Sequence, residues 1–210
     1  DGVSGRKDWR GLQREGGNSR RAYRETWAFS NDQGLRDVNG SFAGVSMTAA
    51  DEYFQKGMQA YLVRNFAESI EWFTKALAEN PENVNYYYYR GTSYQELEQY
   101  SEAVADYSAA LDRFSGCVPI RYNRAEICRT LGHADRAAKD LTYIIVHADR
   151  TKGEGHWLAL AYLNRGLARI DCGDLETGLV DFGKAEALAK ELGDKILLAQ
   201  IADELEKSGL

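Results

Sequence analysis

The feature that most constrains the fold is a repeated spacing of small and large residues over residues 53–182. Four segments align on a small residue; a second small residue follows 12 positions later, and a large residue 4 positions after that. The first small residues, at intervals of 34, 34 and 41, are Gly57, Gly91, Ala125 and Gly166; the second small residues are Ser69, Ala103, Ala137 and Gly178; the large residues are Phe73, Tyr107, Leu141 and Phe182. A period of this length indicates stacked copies of one supersecondary unit.

Small residues at these positions predict two antiparallel helices in each unit, because they let the helices approach closely. We expect first helices near 48–62, 83–97, 118–131 and 155–172, and second helices near 66–79, 100–114, 134–148 and 175–190. The seven extra residues of the third unit, around 147–157, are expected to lengthen the helices that flank a glycine-containing loop. A last helix over 194–207 has one broad apolar face and is expected to cap the array.

This pattern resembles the tetratricopeptide repeat family over about residues 48–190. The second unit matches best, through Tyr87, Gly91, Tyr94, Ala103, Tyr107 and Ala110. The resemblance implies an all-α fold, a right-handed superhelical α-solenoid of helix-turn-helix pairs with a C-terminal capping helix. The expected domains are repeats at 47–81, 82–117, 118–154 (with an extended loop) and 155–190, then a capping helix at 191–210.

The third and fourth units depart from the family pattern. Arg121 and Cys128 replace an aromatic residue and a tyrosine in the third unit, and Arg169 replaces the tyrosine in the fourth. We expect Gly178 to weaken its helix by up to about 1 kcal/mol relative to alanine.

Four consecutive tyrosines, Tyr86 to Tyr89, point in different directions on a helix, so they cannot all lie in a core. The family resemblance implies that first helices line a concave surface, with Tyr87 packed and Tyr88 and Tyr89 facing the groove. Tyrosine suits peptide contact because it offers a large surface and a hydroxyl. The residues expected to form a peptide-binding groove are Phe54, Met58, Tyr61, Tyr88, Tyr89, Thr92, Tyr122, Asn123, Glu126, Arg129, Leu163, Asn164 and Leu167. For any single one of these aromatics, packing between repeats is the alternative.

One subclass of the family binds the acidic C-terminal tails of heat-shock chaperones through a carboxylate clamp of lysine, arginine and asparagine. The matching positions here are occupied by Phe54, Met58, Tyr89, Pro119 and Asn123. A frame shifted by one repeat gives Tyr88, Thr92, Asn123, Leu160 and Asn164. Neither frame supplies the cations, which argues against binding of a chaperone tail.

Residues 1–46 form a segment of different composition, with eight glycines, eight Arg or Lys and no helical periodicity. We expect a flexible Gly/Arg-rich extension, non-native or a fused peptide, with the functional chain starting at Met47. An alternative is that 22–35, with Tyr23, Trp27 and Phe29, occupies the groove at the high effective concentration of a linked ligand.

Composition and motifs bound the function. The net charge of the chain is −6, and residues 47–210 carry 18 basic and 26 acidic side chains, which argues against a nucleic-acid surface despite arginines near 120–124 and 163–169. No phosphate loop, paired metal-binding histidines or nucleophile elbow occurs, so no catalytic residue, metal or cofactor is expected. No apolar run approaches the roughly 18 residues that span a membrane.

The sequence therefore predicts a non-catalytic, cytoplasmic adaptor or scaffold that binds a segment of another protein. The first alternative is a scaffold that forms homo-oligomers through the groove or the capping helix, where Leu197 and Ile201 would be the residues to test. A helical-repeat RNA binder is the other alternative.

Overall fold

The structure, a computed structural model, describes residues 47–149 and 153–208. Within these ranges the chain is entirely helical, and successive helices pack against one another. The helices are α1 (Ala49–Leu62), α2 (Phe66–Glu79), α3 (Val84–Glu96), α4 (Tyr100–Arg113), α5 (Val118–Thr130), α6 (Ala134–His147), α7 (Gly155–Asp171), α8 (Leu175–Leu192) and α9 (Lys195–Lys207). The prediction of an all-α solenoid of helix pairs with one further helix is confirmed.

The helix boundaries agree with the sequence prediction to within two residues. Part of the insertion in the third unit lengthens α7, which has 17 residues where α3 and α5 have 13 each, whereas α6 keeps the usual 14. The limits of the repeats as domains stay a prediction. The expectations for residues 1–46 lie outside the described residues.

Particular residues cap the start of a helix and form the turn inside each helix pair. Thr48 caps α1 in a capping box with Asp51. Each pair is joined through a residue with positive φ, namely Arg64 (62°), Glu98 (59°), Gly132 (78°) and Gly173 (84°). The last two pairs therefore have glycine where the turn requires a left-handed backbone conformation. In the first two pairs a residue with a side chain adopts that conformation, which is less favourable than it is for glycine.

The small residues of the repeat lie where two helices of a pair come closest. A Cβ atom added to Gly91 would lie 2.9 Å from Cε1 of Tyr107, and one added to Gly57 would lie 2.6 Å from Cε1 of Phe73. At Gly178 an added Cβ would lie 2.7 Å from Cγ1 of Ile170 and 3.0 Å from the carbonyl oxygen of Gly166. The glycine that lowers the intrinsic helix propensity of α8 is thus required for the contact between α7 and α8.

The apolar core runs along the helix pairs and extends to the last helix. Leu197 and Ile201 of α9 are each 2% exposed and belong to the same apolar cluster as Phe182 and Ala185 of α8. Both residues serve the attachment of α9, so variants at them would loosen the helix before they tested self-association. Within the described residues, no helix has the length and apolar character needed to cross a membrane.

Candidate functional site

The residues predicted to form the groove lie on the first helices α1, α3, α5 and α7, one group on each. The structure buries eight of the thirteen, which are Tyr88, Tyr89, Thr92, Tyr122, Asn123, Leu163, Asn164 and Leu167. The other five are half-buried, and they are Phe54, Met58, Tyr61, Glu126 and Arg129. The accessible part of the predicted groove therefore consists of three apolar residues on α1 and two charged residues on α5.

The four consecutive tyrosines divide into three buried residues and one half-buried residue. Tyr86, Tyr88 and Tyr89 are at most 5% exposed. Tyr87 is half-buried, and the guanidinium of Arg113 lies 4.6 Å from its ring centre. The helix therefore presents fewer tyrosine rings to solvent than four tyrosines in sequence suggest.

Rings from α1, α2 and α3 form one aromatic cluster, which we call the α1–α3 ring cluster: Phe54, Tyr61, Phe73, Tyr86 and Tyr89. The centre of Phe54 lies 5.2 Å from that of Tyr86 and 5.7 Å from that of Tyr89. Tyr61 meets Tyr89 edge to face at 5.7 Å. Such contacts between aromatic rings add to the stabilisation from burial alone. Packing between repeats thus accounts for part of the aromatic content of the predicted groove.

The two predicted groove asparagines are hydrogen-bonded to tyrosines of the chain itself. Asn123 donates from Nδ2 to the Tyr107 hydroxyl at 3.4 Å, and that hydroxyl donates to Thr92 at 3.2 Å. Asn164 donates from Nδ2 to the Tyr122 hydroxyl at 2.9 Å. The bonds that the two asparagines donate join neighbouring repeats, so these amides help to fix the relative positions of the repeats.

A buried ion pair repeats along the solenoid, and sequence reasoning missed it. In three units an arginine just before the small residue of the first helix makes two hydrogen bonds to an aspartate 16 residues later. Its remaining nitrogen donates to a hydroxyl on the preceding second helix at 3.0–3.1 Å. We call these sets the Arg–Asp clamps, and they are Arg90–Asp106 with Thr74, Arg124–Asp140 with Ser108, and Arg165–Asp181 with Thr142.

The Arg–Asp clamps also include the arginines near the predicted groove on which the RNA-binding alternative was based. Arg121 joins Arg124 on Asp140, and Arg169 joins Arg165 on Asp181. Each of these aspartates therefore holds two guanidinium groups, and all four arginines are engaged in contacts within the chain. The sequence signal for the clamps was available, since an arginine before the small residue and an aspartate 16 positions later recur in three units.

The first unit lacks the Arg–Asp clamp and has an aromatic contact at the same positions. Lys56 and Trp72 replace the arginine and the aspartate, and Nζ of Lys56 lies 4.8 Å from the centre of the Trp72 ring. Nζ of Lys75 lies 4.1 Å from that ring, and Tyr53 stacks on it at 5.9 Å. A cation over an aromatic ring is a weaker link than a buried ion pair with two hydrogen bonds.

Burial sets the electrostatics of the Arg–Asp clamps. Burial raises the pKa of the Asp106 carboxyl, and the hydrogen bonds from Arg90 partly offset that rise. Burial alone would lower the pKa of Arg90, but the hydrogen bond and charge of Asp106 raise it overall. Each partner therefore depends on the other to remain charged inside the protein.

No group of three or more His, Cys, Asp or Glu side chains among the described residues has an arrangement that could hold a metal ion. Cys117 and Cys128 are buried, and burial raises the pKa of both thiols, whereas Cys172 is exposed.

Comparisons with known proteins show the fold and match one stretch of the chain to a family model. A tetratricopeptide repeat model matches residues 72–105. The fold is similar to a crystal structure of MamA, with a TM-score of 0.63, 16% identity and coverage of 86% of this chain and 94% of that one.

Two further solved structures have a similar fold. MamA 41-end from Desulfovibrio magneticus RS-1 has a TM-score of 0.62 and 16% identity, covering 78% of this chain and 95% of that one. The Arabidopsis OM64 TPR domain has a TM-score of 0.51 and 22% identity, covering 58% and 95%. No curated protein sequence matches this one.

Proposed function

We propose that this chain is a non-catalytic, cytoplasmic adaptor of the tetratricopeptide repeat type, because a model of that repeat matches residues 72–105 and the described helices pack in successive pairs. Its ligand is a segment of a partner protein, held on the surface formed by the first helices. The observation that supports this most directly is the half-buried apolar group on α1, which consists of Phe54, Met58 and Tyr61. Covering the water-exposed part of such an apolar side chain with a ligand is favourable, because apolar surface is removed from water.

The two ends of the proposed groove differ in polarity, so different side chains of the ligand are expected at each end. Glu126 and Arg129 lie on α5, two repeats from the apolar group, and both are half-buried. Arg129 also forms an exposed ion pair with Asp171 at 3.4 Å. We expect apolar anchors of the ligand on α1 and its polar or charged side chains on α5, as in the recognition of short peptides by apolar pockets with a polar rim.

The test uses the full chain with a photo-reactive p-benzoylphenylalanine in place of Tyr61, exposed to a cell extract and irradiated. The crosslinked peptide of the partner is identified by mass spectrometry, and the capture is repeated in the Met58→Glu background. We expect a defined partner segment that is lost with Met58→Glu, because a buried carboxylate in an apolar contact is costly. The matched control is Val146→Glu, which places the same charge on a side chain that is 69% exposed.

Equal capture by Met58→Glu and the unchanged chain would refute the proposed groove. A second variant separates the alternative in which residues 22–35 compete for the same surface. In that case replacing Tyr23, Trp27 and Phe29 by alanine strengthens capture by the full chain, since a linked competitor has been removed. Without such competition the triple variant captures the partner as the unchanged chain does.

A further inference from the structure

One hydroxyl group between the second and third helix pairs accepts hydrogen bonds from two guanidinium groups. It belongs to Ser108 on α4, and it accepts from Nη1 of Arg124 at 3.1 Å and from Nη2 of Arg136 at 3.2 Å. The hydroxyls of the other two Arg–Asp clamps, on Thr74 and Thr142, each accept from one guanidinium group among the described residues. Ser108 therefore differs from its two counterparts in lying between two cations.

The second of these cations, Arg136, stands where a helix disfavours positive charge. It lies in the first turn of α6, and the dipole of a helix favours anions at that end. The first two helix pairs have glutamate at the matching position, namely Glu68 and Glu102. In the described part of the chain Arg136 forms no ion pair, and its guanidinium group donates to Ser108. An anion beside Arg136 would offset this unfavourable placement.

The charges around this hydroxyl leave a positive surplus. Arg121 and Arg124 share the carboxylate of Asp140, and Arg136 adds a third guanidinium group. Asp112, which is exposed, adds a second negative charge near Arg124. Three cations against two carboxylates leave a surplus of one positive charge where α4, α5 and α6 meet.

We propose that Ser108 is a phosphorylation site and that its phosphate group is held between Arg124 and Arg136. A protein kinase transfers the γ-phosphoryl group of a nucleoside triphosphate to it. A bond forms between Oγ of Ser108 and the γ-phosphorus, the bond from that phosphorus to the bridging oxygen breaks, and the nucleoside diphosphate and the hydroxyl proton leave. Ser108 is half-buried, so its hydroxyl reaches the kinase when α4 opens locally.

The phosphate group links α4 more strongly to the third helix pair. It carries a charge of about −1.5 to −2 at pH 7 and three oxygens that accept hydrogen bonds. The unmodified hydroxyl donates to the carbonyl oxygen of Val104, within α4, at 2.7 Å. Phosphorylation replaces that bond by charge-assisted bonds from Arg124 on α5 and Arg136 on α6, which are stronger than bonds between neutral groups. This site is separate from the residues of the proposed groove.

The first test compares the full chain carrying Ser108→phosphoserine, incorporated during translation, with the unmodified chain. Unfolding in urea is followed by circular dichroism. We expect phosphoserine to raise the midpoint by about 0.5–1 M, because charge-assisted hydrogen bonds are gained. Arg136→Gln is expected to remove most of this rise and to change the unmodified chain little. The matched control is Thr74→phosphoserine, where the hydroxyl meets Arg90 and no second cation, and there we expect no rise.

The second test asks whether the modification takes place. The unmodified full chain is incubated with a cell extract and ATP, and the phosphorylated peptides are mapped by mass spectrometry. We expect phosphate on Ser108, and Ser108→Ala is the control for the assignment.

Three results would overturn the proposal. They are a midpoint that phosphoserine at position 108 does not raise, a rise that Arg136→Gln leaves intact, and an extract that places no phosphate on Ser108. Inorganic phosphate added to the unmodified chain separates the two sources of a phosphate group. A rise of the midpoint with free phosphate that Arg136→Gln abolishes would show that the site takes a free anion, and it would contradict covalent modification.

Discussion

The Arg–Asp clamps lead to a prediction about stability, and the fourth pair gives the clearest case. Asp181 is fully buried and accepts three short hydrogen bonds, two from Arg165 at 2.7 and 2.8 Å and one from Arg169 at 2.7 Å. Asp181→Asn keeps the size of the side chain but removes the negative charge. Two guanidinium groups then lose their counter-ion, and one of them, on Arg165, is 11% exposed.

The magnitude follows from the cost of an unpaired buried charge. Removal of one partner of a buried ion pair typically costs about 3–5 kcal/mol, and we expect a loss of that size for Asp181→Asn. Urea unfolding followed by circular dichroism measures it as a shift of the midpoint. The control is Glu96→Gln in the pair with Arg64, whose side chains are 31% and 74% exposed, where an ion pair contributes about 0–1 kcal/mol.

A loss below about 1 kcal/mol for Asp181→Asn, equal to that of Glu96→Gln, would refute the reasoning, because the clamp would then behave as a surface pair. A double replacement, Arg165→Met with Asp181→Leu, gives an independent measure. If the cost of the single change comes from an unpaired charge, the double variant recovers much of the lost stability. If it comes from packing alone, the double variant is no better than the single one.

Three further predictions concern packing, thiol reactivity and pH. Gly91→Ala is expected to cost about 1–3 kcal/mol in the same urea experiment, because the new methyl group meets Tyr107, whereas Gly183→Ala, with open space around it, is neutral or slightly stabilising; equal effects would contradict this. A disulfide reagent is expected to react with one thiol of the native chain at pH 8, that of Cys172, since the other two are buried with raised pKa values; peptide mapping that finds a second labelled cysteine would contradict this. Hydrogen bonds from Thr177 lower the pKa of Asp174, so the stability that this cap contributes is present above the pKa of Asp174 in the unfolded chain and is lost as the pH falls through its pKa in the folded chain. Asp174→Ala is expected to remove this part of the acid dependence of unfolding, and an unchanged acid dependence would contradict the prediction.

The sequence alone determined the order, length and pairing of the helices in the described part of the chain. Small and large residues at intervals of 12 and 4 are a local pattern: the interval of 4 places two residues on one face of the second helix, and the interval of 12 spans the turn between the two helices of a pair. The positions of Gly57, Gly91 and Gly166 opposite aromatic rings follow from the same pattern. The predicted helix ends agree with the observed ones to within two residues.

Only the tertiary structure decided which side chains remain accessible and how deeply each charged side chain is buried. Tyr88 and Tyr122 occupy the sequence positions of groove residues, yet each is 1% exposed. Exposure depends on all the neighbours of a side chain, and these come from several helices far apart in sequence. The same holds for the charged residue Asp181 on α8, because packing of α7 against α8 brings Arg165 and Arg169 to its carboxylate. A repeat pattern reports contacts within one period, whereas burial is a property of the assembled solenoid.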